Sequence, residues 1–132
     1  IPSDVWHVRN KSDFSNFMEI TDHFKLKKGE GLPGRVLASK KWEWISNVNN
    51  DENFPRNSIS KKPLKVKSAI GIPIVDLDLN VLSVIEIFST NQKEKDISLL
   101  NALEFLFMSF STILQQFISE KKLYKEKIYA DM

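Results

Sequence analysis

The chain contains no cysteine. That absence removes disulfides, thiol nucleophiles, thiolate metal sites and any cofactor tethered through sulfur. It also argues against a small secreted scaffold, which usually needs disulfides. Glycine and proline are scarce, at 4 and 5 residues in 132, so low-complexity disorder is not expected. Uninterrupted apolar runs all stop short of the roughly 18 residues that suggest a membrane span. Residues 1–11 (IPSDVWHVRNK) hold no apolar signal-peptide core. No initiator Met opens the chain, which reads as a piece of a longer protein. The expectation is one cytoplasmic domain with no membrane insertion.

What is present fits that expectation. A length of 132 residues with 42% hydrophobic residues is enough for one real core. The net charge is only +2, yet residues 25–67 hold 11 Lys/Arg against 4 Asp/Glu, leaving 8 against 13 elsewhere. Such a local excess attracts anions or nucleic acid. No regular aromatic ladder accompanies it, so solvated loops are the preferred reading and nucleic acid is not expected as a partner.

Residues 5–8 (VWHV), after Pro2, read as a short strand. Phe14, Phe17, Met18, Ile20 (or Thr21) and Phe24 approximate helical spacing over 13–24, with Ser12 or Asp13 as the N-cap. Residues 29–34 (GEGLPG) mark a tight turn, and 35–39 a short helical turn. Trp44 and Ile45 read as extended, 47–56 as loop, and 58–62 as one helical turn before Pro63. Residues 66–75 and 81–89 form a β-hairpin around the turn DLDLN, with Ile70, Ile72 and Ile74 on one face. Pro73 suits an edge or a bulge. The return strand is apolar on both faces except at Glu86, which predicts cover on both sides.

From Asp96, an apparent N-cap, nothing breaks a helix before about Ile128. Leu100, Leu103, Phe107, Phe110, Leu114, Phe117, Tyr124 and Ile128 recur in 3-4 alternation, with Lys121 filling the gap, and describe a heptad seam. A second row, Leu99, Leu106 and Ile113, widens the apolar face of the first half, which is therefore expected to pack against the domain. Past Ile118 the flanks turn charged, at Glu120, Lys122, Lys125 and Glu126. That narrow seam suits a parallel pair of helices, hence a homodimer through this helix; a solvated helix end is the alternative.

Three stretches together resemble a GAF domain, a ligand-binding module of signalling proteins. They are residues 29–36 (GEGLPGRV) with Ser39, Trp44 and Ile45; Asp51 with Asn53, Phe54, Pro55 and Arg56; and Ser68, Ala69, Ile72 and Pro73 leading into 81–89 (VLSVIEIFS). The resemblance covers roughly residues 6–118 and is similar to GAF domains of bacterial histidine kinases and cyclases. It implies an α/β (α+β) fold: an antiparallel sheet with helices on one face, a loop-built pocket on the other, and a long C-terminal signalling helix. Residues 1–118 are then the GAF sensor domain, and 119–132 continue the linker helix towards a covalently linked kinase- or cyclase-type output domain. The sequence departs from the pattern at Ser83, where glycine is usual, and at Lys40 and Lys41, where small turn residues are usual. Relatives also carry a helix and a strand before the segment matching 2–8; without them a sheet edge is exposed, and pairing or swapping would cover it.

The residues offered for an unidentified small-molecule ligand are Trp42, Trp44, Phe54, Arg56, Ile59, Ser68, Ile70 and Glu86. Arg56 could hold an anionic group bidentately; the preferred reading is an ion pair with a local carboxylate such as Asp51 that pins the loop. The aromatics could line a ligand, but such residues are more often core. Glu86, one acid in an apolar strand, reads as an ion pair holding the fold, since no second acid or nucleophile accompanies it. The GEGLPG turn lacks the Gly-Lys-Ser/Thr ending of a phosphate loop and reads as structural. His7 and His23 are the only histidines, and structural roles outweigh metal or haem ligation. No cofactor is named and no catalytic set is legible. Within the resembled family, methionine sulfoxide reductases and covalent bilin binders need cysteine. The Asn-Lys…Phe…Asp-Glu pattern of cyclic-nucleotide binders is not visible, since Asp51 and Glu52 precede Phe54. The reading is a non-catalytic sensor; the alternative is a ligand-free dimerisation module.

Overall fold

A computed structural model describes residues 5–131. Its elements run α1 (Lys11–His23), α2 (Gly31–Ser39), β1 (Glu43–Ile45), a 3-10 turn (Val48–Asn50), α3 (Arg56–Ile59), β2 (Ser68–Val75), β3 (Val81–Ser89) and α4 (Ile97–Ala130). The chain divides into two compact units. One takes in the chain up to Pro73 together with Ser83–Lys95; the other is Ile74–Leu82 with the chain from Asp96 on.

The first unit is built around Phe17, Leu32, Val36, Ile45, Val48, Phe54, Leu64, Val66 and Ala69, all buried. Helix α1 starts earlier than the expected caps, because Asn10 is the N-cap and its side chain accepts the N–H of Ser12 at 3.2 Å. Helix α2 also starts earlier, inside the GEGLPG stretch. Pro33 stands in its first turn, where a missing N–H costs no helical bond. Helix α3 begins at Arg56 rather than at Ser58. Residues 5–8 join no strand; Trp6 instead sets its ring edge-on to Phe17 at 6.5 Å. Pro2 lies outside the described residues.

The sheet has three strands in the order β1-β2-β3. β1 runs antiparallel to β2, with Glu43 opposite Gly71, Trp44 opposite Ile70 and Ile45 opposite Ala69. β2 is thus central, but Pro73 lies beyond the last residue paired with β1, where the missing donor is tolerated. Gly71 lets α2 close onto β2: a Cβ there would stand 2.7 Å from Val36 Cγ2 and 2.9 Å from Leu32 Cδ1. β3 departs from expectation. It is an edge strand with no buried residue, and Leu82 and Ile87 are exposed. Apolar residues on both faces therefore did not mean cover on both faces.

The second unit holds the hairpin tip and α4. At the tip, Asp76 Oδ1 accepts the N–H groups of Asp78 (2.9 Å) and Asn80 (2.8 Å). Leu79 is left-handed there, at φ 63°. Helix α4 spans 34 residues, and the Asp96 side chain caps it by accepting the N–H of Leu99 at 3.0 Å. None of its residues is buried, against the expectation for its first half. Leu100, Leu103, Phe107 and Leu114 are half-buried, whereas Leu99, Leu106, Phe110, Ile113 and Phe117 are exposed. By length and composition alone α4 is apolar enough to cross a membrane, with an 18-residue window of mean hydropathy 1.7. A count of uninterrupted apolar runs misses this, because single polar residues such as Asn101 and Glu104 punctuate the helix.

Candidate functional site

Two groupings in the first unit collect most of the residues offered as ligand contacts. The first surrounds Arg56. The loop before α3 carries Phe54 into the interior and the first residue of α3 carries Arg56 there, where Arg56 is only 1% exposed. Its Nη2 donates to Glu86 Oε1 at 2.5 Å and its Nη1 to Thr21 Oγ1 at 3.4 Å. Its Cζ stands 4.8, 4.9 and 5.1 Å from the ring centroids of Phe17, Phe54 and Phe88. A guanidinium is weakly hydrated and stacks on aromatic faces, which makes it the cation best suited to such a place. Arg56 does not pair with Asp51. Asp51 Oδ2 accepts instead from Arg35 Nη1 at 2.7 Å, while Arg35 Nη2 reaches Glu43 at 3.0 Å. Burial works against the Arg35 charge, but hydrogen bonding and attraction from Asp51, then Glu43, outweigh it and hold the group above its ordinary range.

The second grouping is an open cleft of about 340 Å³ lined by Trp44, Ile45, Ser46, Asn47, Asn50, Asp51, Gln92 and Glu94. The segment after β3 forms one wall and is pinned to β1 and its sequel. Trp44 Nε1 donates to the Lys93 carbonyl at 2.9 Å, and Asn47 Nδ2 donates to Gln92 Oε1 at 3.1 Å. Lys93 N–H donates to the Ser46 carbonyl at 3.3 Å, and Ser68 Oγ to the Asn91 carbonyl at 2.8 Å. The cleft offers amide, carboxylate and indole surfaces, a lining suited to a small polar molecule. A second open cavity, of about 420 Å³, is lined by Asp13, Pro63, Leu64, Lys65, Lys67 and Thr90, and Lys65 pairs with Asp13 at 2.9 Å.

The proposed ligand contacts do not converge on one place. Phe54, Arg56 and Glu86 share the buried cluster. Trp44 lines the cleft, and Ser68 anchors its wall. Ile70 stands opposite Trp44 in the β1–β2 register, Trp42 is half-buried before β1, and Ile59 is 44% exposed at the end of α3. Sequence reasoning missed Asn47, Asn50, Gln92 and Glu94, because the cleft joins segments about 45 residues apart and both read as loop. His7 and His23 are exposed, and no group of three or more potential metal ligands occurs among the described residues.

No family model matches the sequence, and no curated protein is a significant match. Solved structures do match. A GAF domain structure is 26% identical, with a TM-score of 0.52 over 62% of this chain and 44% of its own. The GAF domain of an Acinetobacter phosphoenolpyruvate-protein phosphotransferase is 19% identical, with a TM-score of 0.55 over 71% of this chain and 52% of its own. A type II free methionine-R-sulfoxide reductase from Thermoplasma acidophilum is 17% identical, with a TM-score of 0.50 over 68% of this chain and 57% of its own. The chain thus spans roughly half the length of the solved structures it matches. With its three-stranded antiparallel sheet, flanking helices and long C-terminal helix, and with these matches, the chain has a GAF-like fold.

Proposed function

We propose that this chain is a non-catalytic regulatory domain of a larger signalling protein in the cytoplasm. In this reading it answers a small polar molecule in the Trp44–Glu94 cleft and passes the state through α4 to a linked output domain of the kinase or cyclase type. The observation that carries the reading is the wall of that cleft. Gln92 and Glu94 line it, and the chain continues from there directly into Asp96, the cap of α4. A ligand that prefers one position of residues 91–94 thereby biases the start of the helix. The reading is non-catalytic because Asp51 and Glu43 are engaged with Arg35 and Glu86 with Arg56, which leaves Glu94 as an acid of the cleft without an ion pair and without a second free acid or an activated nucleophile beside it in the lining to work with. Chemistry of the cysteine-dependent kind is closed to a chain without cysteine.

Native mass spectrometry of the purified chain, beside its denatured mass, tests this. The expected result is a discrete extra mass per chain that is lost in Asn47→Leu and Gln92→Leu. A bare chain mass favours the second reading, a ligand-free interaction module. That reading draws on the buried cluster, where Arg56 and three Phe rings fill the interior that a ligand would otherwise occupy.

A further inference from the structure

The second open cavity, of about 420 Å³, lies apart from the Trp44–Glu94 cleft and has the opposite charge character. Asp13, Pro63, Leu64, Lys65, Lys67 and Thr90 line it. The stretch 61–67, which supplies four of these six, holds four lysines and no acid. Lys67 is half-buried, and among the described residues neither its ammonium nor the Thr90 hydroxyl has a hydrogen-bond or ion-pair partner. The lining thus sets two lysines against one carboxylate, Asp13, which Lys65 already holds at 2.9 Å. A cation partly withdrawn from water without a counter-ion gains by taking an anion. We infer that this cavity is a binding site for the phosphate group of a small soluble molecule. Lys65 and Lys67 neutralise the phosphate, and Thr90 donates its hydroxyl to a phosphate oxygen.

The backbone holds the site in shape before a ligand arrives. Lys67 N–H donates to the Ser89 carbonyl at 2.8 Å, and Ser68 Oγ donates to the Asn91 carbonyl at 2.8 Å. Thr90 therefore stands between two tied residues, and Leu64, Val66 and Ser68 are themselves buried. Such preorganisation lowers the entropy cost of binding. Two lysines favour a phosphate dianion over a carboxylate, and lysine meets phosphate as a compact point charge. The cavity exceeds what a bare phosphate fills, so Pro63 and Leu64 are left to face an organic remainder. The Lys65–Asp13 pair is no obstacle, because its side chains are 62% and 30% exposed and such pairs are weak. Asp13 is the group with which the phosphate competes. From Thr90 the chain runs on to Gln92 and Glu94, so the phosphate would grip the same strip that walls the cleft.

Titration of the ¹⁵N-labelled chain with inorganic phosphate, at ionic strength held constant with chloride, tests the site. The expected result is saturable amide shifts at Lys65, Lys67 and Thr90, with a dissociation constant on the order of 1 mM. Lys67→Met keeps the apolar stem and is expected to weaken binding about 10-fold. Asp13→Asn removes the competitor and is expected to tighten it about 5-fold. Because one variant weakens and the other tightens, a general loss of fold cannot produce both. Glycerol phosphate is expected to move the same amides, and acetate to bind more weakly than phosphate. Shifts that follow chloride equally, or an Asp13→Asn variant that binds no tighter, overturn the inference. Acetate binding as tightly as phosphate overturns the choice of phosphate. Cosedimentation with phosphatidic acid vesicles, without binding of glycerol phosphate, overturns the assignment to a soluble molecule. None of these results bears on a mass retained in the cleft and lost in Asn47→Leu, so the two sites fail separately.

Discussion

Replacing Arg56 or Glu86 tests whether the buried pair organises the first unit. Arg56→Met keeps most of the side-chain volume but removes the charge. It eliminates a charge-assisted hydrogen bond, worth about 1.5–3 kcal/mol, and contacts with three rings, worth roughly 0.5–2 kcal/mol in all. It also leaves the Glu86 carboxylate, whose side chain is only 18% exposed, without its partner. Breaking a buried pair from one side costs about 3–5 kcal/mol. The partial exposure of Glu86 places this case near 3 kcal/mol, a large share of the 5–15 kcal/mol typical of a domain. Glu86→Leu strands a more deeply buried guanidinium and is expected to cost about as much. The double variant Arg56→Met/Glu86→Leu strands neither charge and should cost no more than either single change, giving a coupling energy of about 3 kcal/mol. Urea unfolding followed by circular dichroism reads this as midpoint shifts of roughly 1–2 M for the singles. If Arg56→Met costs less than about 1 kcal/mol, or if the two single losses add, the pair is not the organising contact and the reasoning is wrong.

Three further outcomes follow from the backbone and its ties. Lys40 closes α2 in the left-handed region at φ 59°, where glycine is the usual residue; Lys40→Gly should stabilise by about 0.5–1 kcal/mol, seen as a higher melting temperature. A Cβ on Gly34 would lie 2.3 Å from the Lys27 carbonyl oxygen, a fixed backbone atom; Gly34→Ala should destabilise by about 3 kcal/mol, and an unchanged urea midpoint would contradict the local geometry. Asn53 accepts the Gly31 N–H at 2.7 Å and donates to the Gly29 carbonyl at 3.0 Å. Asn53→Ala should cost about 2 kcal/mol, and faster amide hydrogen exchange at Gly31 would locate the loss.

The parts of this fold visible in sequence are those written in local pattern. The hairpin shows itself in alternating Ile70, Ile72 and Ile74 and a turn opened by Asp76. Helix α4 shows itself in an unbroken period behind a capping Asp96. What escaped depends on distance or on cover. Arg56 finds Glu86 across 30 residues, passing over Asp51, which lies near in sequence but is claimed by Arg35. Periodicity located the apolar residues of β3 and α4 but could not say which of them are covered. It therefore supported a doubly covered strand and a packed helix where the structure shows an edge strand and an exposed stripe. The cleft was invisible because Asn47 and Gln92 acquire meaning only when two loops meet. Helix starts were misplaced because Asn10 precedes the apolar period and Pro33 is a breaker everywhere except in a first turn.

Trp44 has a consequence for experiment. Its indole N–H is tied to the Lys93 carbonyl at 2.9 Å, beside the open cleft. The colour of indole emission depends on the dipoles and water around the ring. A molecule that displaces water from the cleft, or a shift of Lys93, changes that surrounding at once. In a Trp6→Phe/Trp42→Phe background the domain would carry a single tryptophan, beside the cleft, and candidate effectors could be screened by light without attaching a label.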